Sequence, residues 1–399
     1  MTDNTAGALA DNSGKSIKNY IMSNIRDYGM LLSLVLIVVF FQIMTNYVML
    51  APQNVNNVVM QNGYVIVMAL GMLLVIVAGR IDLSVGSVCG FTGALAGVLM
   101  SRQGWNFLPA SAAALLAGAL IGGIQGYFIA FLRIPSFIVT LAGMLVFRGL
   151  TYKLLGSTNA GPFPPEFNQI SVGWIPDPIG HPGFFAGSLA LGCILSAIFV
   201  VFALKGRLDR HKHGVEEEPT AIFIARNALL AAATIYVSYL LSAYRGIPNV
   251  LAIMTILILF YAFVTTRTVI GRRVYALGGN EKAAKLSGIK TEQLTLITFV
   301  NMGFLAGLAG LITAARFGTA VPKAGDGYEL DVIAACFIGG ASASGGVGRI
   351  VGAVIGAFVM GVMNNGMSIM GVGIDFQQVI KGLVLLIAVI FDVYNKNKA

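Results

Sequence analysis

Apolar runs long enough to cross a membrane recur from residue 30 to residue 393, and a chain written this way has few folds open to it. They lie near 30–50, 58–78, 84–100, 109–131, 137–155, 184–204, 221–243, 249–266 and 294–315, followed by a short run near 330–342 and two more near 347–367 and 377–393. A hydrocarbon core about 30 Å thick takes roughly 20 apolar residues of helix, so each run of that length reads as a membrane helix. The expected fold is all-α, a polytopic transmembrane helical bundle of ten to twelve segments that include short or broken helices. Composition agrees, since only 11% of residues are charged where soluble chains carry about a quarter. One bundle over 30–393 is expected, with polar tails at 1–29 and 394–399 and no separate soluble domain. The first 29 residues lack an apolar stretch beside a small-residue cleavage site, so no removable signal peptide is expected.

The net charge of +9 does not point to nucleic acid, because the basic residues gather in short loops beside apolar runs. That is how a polytopic chain keeps its loops on the side from which it inserts. The segment 205–220 carries Lys205, Arg207, Arg210 and Lys212, and the tail ends on Lys396 and Lys398. The segment 267–292, RTVIGRRVYALGGNEKAAKLSGIKTE, carries Arg267, Arg272, Arg273, Lys282, Lys285 and Lys290 against Glu281 and Glu292. By contrast, 156–183 has no Lys or Arg and holds Pro162, Pro164, Pro165, Pro176, Pro178 and Pro182. We therefore expect 156–183 on the outer face and both termini in the cytoplasm. Proline removes amide donors and fixes φ, so this outer loop is expected to be a stiff irregular cap rather than helix. It serves either as a plain connector or as a ledge for a soluble partner.

Glycines recur at four-residue spacing, as in Gly86 and Gly90, Gly93 and Gly97, Gly118 with Gly122 and Gly126, Gly303 and Gly307, and Gly348 with Gly352 and Gly356. In lipid, where apolar surface gives helices no reason to associate, such spacing lets backbones approach closely. Two segments resemble each other, IDLSVGSVCGFTGALAGVLM from Ile81 and ASASGGVGRIVGAVIGAFVMG from Ala341. Each sets a Ser/Gly-rich break before a glycine-spaced helix, which hints at the internal repeat that transporters build around their substrate path.

Catalytic and nucleotide motifs are missing. No G-x-x-x-x-G-K-[ST], H-E-x-x-H, C-x-x-C or G-x-S-x-G occurs, and Cys89, Cys193 and Cys336 have irregular apolar settings that suit neither disulfide nor zinc. His181, His211 and His213 fall in loops, and no metal site is expected. The charged segment 267–292 is the distinctive element. Asn280 is placed to cap a two-turn helix starting at Glu281, and Gly288 to end it in the left-handed conformation. Ala283, Ala284 and Leu286 would give it apolar contact points, with Lys282 and Lys285 available to acidic partners. A helix so short is marginal alone and needs a surface to lean on.

GRRVYALGGNEKAAKLSGI (271–289), GRIDLSVGS (79–87), IPSFIVTLAGMLVFRG (134–149) and the glycine run 339–348 together resemble the permease subunit of ribose/xylose-type ABC sugar importers. The likeness covers almost the whole transmembrane part and is nearest the xylose and multiple-monosaccharide permeases. It implies a homodimer in a bacterial inner membrane. It further implies two cytoplasmic ATPase subunits docking on a coupling helix at 280–288, and a periplasmic sugar-binding protein outside. Within the segment it implies roles for Gly271, Arg272, Arg273, Asn280, Glu281, Ala283, Ala284, Leu286 and Gly288. It places no cofactor in this chain, ATP and Mg being bound by the partner ATPase.

A path for a neutral monosaccharide wants hydroxyl partners and aromatic faces. The candidates are Asp82, Ser84, Ser87, Gln125, Asn301, Phe304, Asn364 and Asn365, each of which could instead make a helix–helix hydrogen bond. Asp82, beside Arg80, either caps the following helix at a membrane interface or lines the path. A gradient-driven carrier would bury ionisable groups in mid-span, and the runs look nearly free of them, with Arg148 and Lys381 near span ends where they can snorkel. The rival readings are such a carrier or channel acting alone, a branched-chain amino-acid ABC permease, or a membrane-embedded enzyme. A carboxylate substrate would favour basic groups along the path, and none cluster in the runs.

Overall fold

The computed structural model describes residues 25–156, 158–180, 183–213 and 219–396. Among them are fifteen helices and two isolated β-bridges. They run α1 Ile25–Met44, α2 Pro52–Val77, α3 Val85–Ser101, α4 Phe107–Ala130, α5 Ser136–Leu155, α6 Pro165–Val172, α7 Ala186–Lys212, α8 Thr220–Ser242, α9 Asn249–Arg267, α10 Val269–Gly279, α11 Glu281–Leu286, α12 Thr291–Phe317, α13 Tyr328–Ile338, α14 Ile350–Ile369 and α15 Ile374–Lys396. Nine of these are long and apolar enough to cross a membrane, and α1 and α3 contribute shorter apolar stretches. The chain is therefore the all-α polytopic bundle expected. His181, expected in a loop, lies outside the described residues, as do residues 1–24, 214–218 and 397–399.

The chain forms two compact units. The smaller takes in 175–247 and is dominated by the antiparallel pair α7 and α8. Its turn near Asp177 is closed by the Asp177 carboxylate, which accepts hydrogen bonds from the Ile179, Gly187 and Ser188 amides. Two expectations are corrected here. The polar stretch 205–212 is not loop but the last turns of α7, because Lys and Arg are good helix formers and suit a C-terminal end. The second concerns the proline-rich connection, where α6 forms with Pro165 in its first turn. An amide donor is not needed at that position, so proline there starts a helix rather than preventing one.

The larger unit holds the extensive core, centred on α2, whose residues from Val65 to Val77 are all buried. Glycine decides how its helices meet. Along the α4–α12 crossing, a Cβ on Gly118, Gly122 or Gly303 would fall on a carbonyl oxygen of the facing helix, at Gly303, Phe299 and Gly118 respectively. Gly310 meets the Cys89 carbonyl of α3 in the same way, and Gly356 of α14 meets the Ala335 carbonyl of α13.

Helix α13 is short. Its 11 residues rise about 16 Å, half the hydrocarbon thickness. It follows Gly327 at φ +75° and ends in a glycine-rich passage, with Gly340, Gly345 and Gly346 all at positive φ. The two similar segments of the sequence thus correspond to two interruptions, 78–84 before α3 and 339–349 before α14.

Candidate functional site: the handle and the polar interior

The charged segment is built as a jointed element. Thr268 Oγ1 accepts the Gly271 amide at 3.2 Å to cap α10, and Gly271 lies so close to the last turn of α9 that a side chain there would strike Thr265. Asn280 Oδ1 accepts the Ala283 amide at 3.0 Å to start α11. At the other end Gly288 takes φ +81°, its amide donates to Lys285 O at 3.0 Å, and the Ile289 amide donates to Ala284 O at 3.1 Å. This pair of bonds is the full Schellman closure, which spends the last carbonyls of the helix on the chain itself. The helix has six residues, less than the two turns expected. Closure at both ends is what keeps so short a piece helical.

Its side chains divide in a way the sequence reading did not foresee. Ala284 is buried within the subunit, whereas Ala283 is exposed and Leu286 is 90% exposed. Glu281 pairs with Arg80 at 2.9 Å, and Lys285 is engaged by Glu292, leaving Lys282 rather than Lys285 open to a partner. Arg272 and Arg273 are exposed on α10. The Arg80–Glu281 pair is 28% and 52% exposed, so its worth is at most about 1 kcal/mol. It sets the position of α11 more than it holds the fold.

This handle is tied to both helix interruptions. The Tyr275 hydroxyl donates to Gly348 O at 2.7 Å, and the Gly346 amide donates to Val77 O, the end of α2, at 2.8 Å. Gly278 and Gly279 lie against Gly345 and Gly346 backbone, and Gly345 against Gly79, with no room for a Cβ at Gly278, Gly345 or Gly346. The loop is pinned further where Asp392 accepts from Ser342 Oγ and the Ala343 amide. A displacement of α10 must therefore be felt at the breaks before α3 and α14 together.

The interior candidates do not converge on one place. Asp82, Ser84 and Gln125 do meet: Asp82 Oδ1 takes the Ser84 amide at 2.8 Å and the Ser84 hydroxyl at 2.7 Å, and the same hydroxyl lies 3.0 Å from Gln125 Oε1. Burial in the break pushes the Asp82 carboxyl up to about 6, against these two Ser84 hydrogen bonds. Asp82 neither caps α3 nor pairs with Arg80; it folds back on Ser84 as a local side-chain turn. Ser87 is buried with its hydroxyl unpartnered. Elsewhere, Asn301 accepts from the Tyr261 hydroxyl, Phe304 is 40% exposed on α12, Asn364 donates to Asp331 at 3.1 Å, and Asn365 donates to Gln61 at 3.2 Å.

The chain matches the family model for the permease component of branched-chain amino acid transport systems over residues 54–389. It is 39% identical to the xylose transport system permease protein XylH of Escherichia coli K12 over 376 residues, 94% of each chain. It is 40% identical to the Haemophilus influenzae XylH, across 94% of this chain and 98% of that one. It is 36% identical to the ribose import permease protein RbsC of Escherichia coli K12, across 85% of each. The chain belongs to this family of ABC permeases. No solved structure matches it. As a permease it is a multi-pass membrane protein and a transport component, and its system includes ATPase and substrate-binding partners.

Sequence reasoning missed the permease's interior charges. Asp331 is 1% exposed and Glu329 8% exposed, both in the first turn of α13. Lys381 does not snorkel but pairs with Asp331 at 3.0 Å, and Arg148 donates to Ala324 O and Gly325 O and pairs with Asp326. The two acids lie in α13, which is not one of the nine long apolar helices, and Arg148 and Lys381 within those helices take protein partners. Asp331 escaped notice because it stands at the very start of the short run near 330–342, where an acid reads as an end residue. The available signal was Lys381, a lone cation four residues inside an apolar run.

Proposed function

We propose that this permease passes a neutral monosaccharide, a pentose such as xylose or a hexose, inward across a bacterial inner membrane by alternating access. Two copies form the path, and two ATPase subunits, which bind ATP and Mg, seat on residues 271–290. A periplasmic binding protein delivers the sugar on the face that carries 156–183, and both termini lie in the cytoplasm. The observation that carries this reading is Leu286, 90% exposed on a helix closed at both ends and joined to two helix breaks. An apolar side chain presented so fully on a preorganised element is what a docked partner covers. The xylose and ribose names of its relatives support the sugar.

For the motion to follow ATP, the partner must hold the handle differently with and without nucleotide, since a ligand shifts a conformational equilibrium only by its difference in affinity for the two states. A carrier acting alone and an amino-acid permease are both less favoured by these relatives. Reconstitution separates them. The permease alone in proteoliposomes should take up no xylose, whereas permease, ATPase and loaded binding protein together should take it up only with ATP. Sugar uptake by the lone permease, or leucine uptake by the full complex in place of sugar, would refute the assignment.

A further inference from the structure

Helix α13 opens on a group of side chains that no step above uses. Asp331 Oδ2 accepts from Lys381 Nζ of α15 at 3.0 Å and from Asn364 Nδ2 of α14 at 3.1 Å, and the ammonium also lies 3.0 Å from Oδ1. The Lys381 side chain is 20% exposed and Asn364 is half-buried, so the pair is reachable, while Asp331 itself is nearly sealed. The buried side-chain Oδ1 of Asn364 has no partner. One turn before Asp331, Tyr328 stacks on Tyr64 of α2 with centroids 4.0 Å apart and planes at 22°. One turn before Tyr64, Gln61 accepts from Asn365. Helices α2, α13, α14 and α15 thus bring planar amide and carboxylate groups, one ammonium and an aromatic pair to one end of a half-length helix.

Such a set suits an uncharged polyol. A carboxylate and an amide side by side offer acceptors and donors at the spacing of vicinal hydroxyls, the ammonium donates to a third, and a tyrosine face takes the C–H side of a ring. The Asp331 and Lys381 charges cancel, so nothing in the pair selects an anion. Burying ionisable groups is costly, and a buried ion pair stabilises little beyond what apolar residues of like volume would. Fold stability alone therefore does not account for it.

We propose that Asp331, Asn364 and Lys381, with Tyr64 and Tyr328 beside them, form a sugar-hydroxyl site on the translocation path. Closed, Lys381 and Asn364 occupy the carboxylate; in transit, sugar hydroxyls replace them. This rests on the sugar-importer reading of the permease.

The test uses the complete complex in proteoliposomes with xylose as the probe, comparing wild type with the double variant Asp331→Asn/Lys381→Met, which removes both charges at once. The expected result is a variant that melts at the wild-type temperature and whose ATPase is still stimulated by loaded binding protein, with xylose uptake slowed at least about tenfold. Uptake at the wild-type rate overturns the site, as does a loss that tracks lost assembly or lost ATPase stimulation. A second arm does not depend on transport. Asn364→Cys in permease whose Cys89, Cys193 and Cys336 are replaced by serine should react with a small hydrophilic thiosulfonate and be protected by xylose. A thiol at position 364 that stays unreactive overturns the proposal. If wild type takes up neither xylose nor any other pentose or hexose with ATP, the importer reading itself falls; if wild type transports and the double variant matches it, only this site falls.

Discussion

Leu286→Asp should leave the permease folded and inserted yet abolish most ATP-driven uptake. In the subunit alone Leu286 touches almost nothing, being 90% exposed, so the substitution has no packing to lose and Asn280 and Gly288 still close the helix. Against a partner the balance reverses. Burying a leucine is worth about 1.5–3 kcal/mol, so its loss weakens docking by about ten- to a hundredfold, and a buried carboxylate adds its own desolvation cost. Pull-down of the ATPase by solubilised permease reads the docking, and melting in detergent reads the fold. Loss of melting temperature with docking intact would mean that Leu286 serves the subunit and not a partner.

Gly122→Ala should be the most destabilising single methyl group in α4, while Gly123→Ala beside it should be neutral or mildly stabilising. A Cβ at Gly122 would press on the Phe299 carbonyl and lie 3.1 Å from Gly303 Cα, all of it backbone that cannot rotate away. A Cβ at Gly123 meets only the end of Val300 at 3.4 Å. Overpacking of this kind costs about 1–3 kcal/mol, whereas an unobstructed Gly→Ala in a helix gains about 0.5–1 kcal/mol. Thermal unfolding of the two variants in the same detergent gives the comparison. Equal melting temperatures would show that α4 and α12 do not approach as described.

Much of the fold was legible because lipid leaves so few choices. Run length located the long helices, and glycine spacing anticipated the α4–α12 contact at Gly118, Gly122 and Gly303. The caps of α11 were readable from Asn280 and Gly288 because those residues act locally, through their own backbone. Partnerships between distant segments were not. Nothing in the chain announces that Glu281 meets Arg80, that Lys285 meets Glu292, or that Ala284 turns inward while Ala283 and Leu286 turn out. Asp82 was noticed for its charge, yet its folding back onto Ser84 depends on a break whose geometry sequence does not specify. Among the path candidates, Asn364 proves adjacent to Asp331 only because α13 packs on α14, a pairing that no local pattern in the chain records.

The central claim is that work done elsewhere reaches the interior through α10 and α11. A photo-crosslinking residue at position 286, in the assembled complex, tests it most directly. The account predicts one dominant adduct with the ATPase subunit, its yield changing when ATP replaces the nucleotide-free state. Crosslinks to lipid alone, or none to the ATPase while ATP-dependent uptake persists, would contradict it.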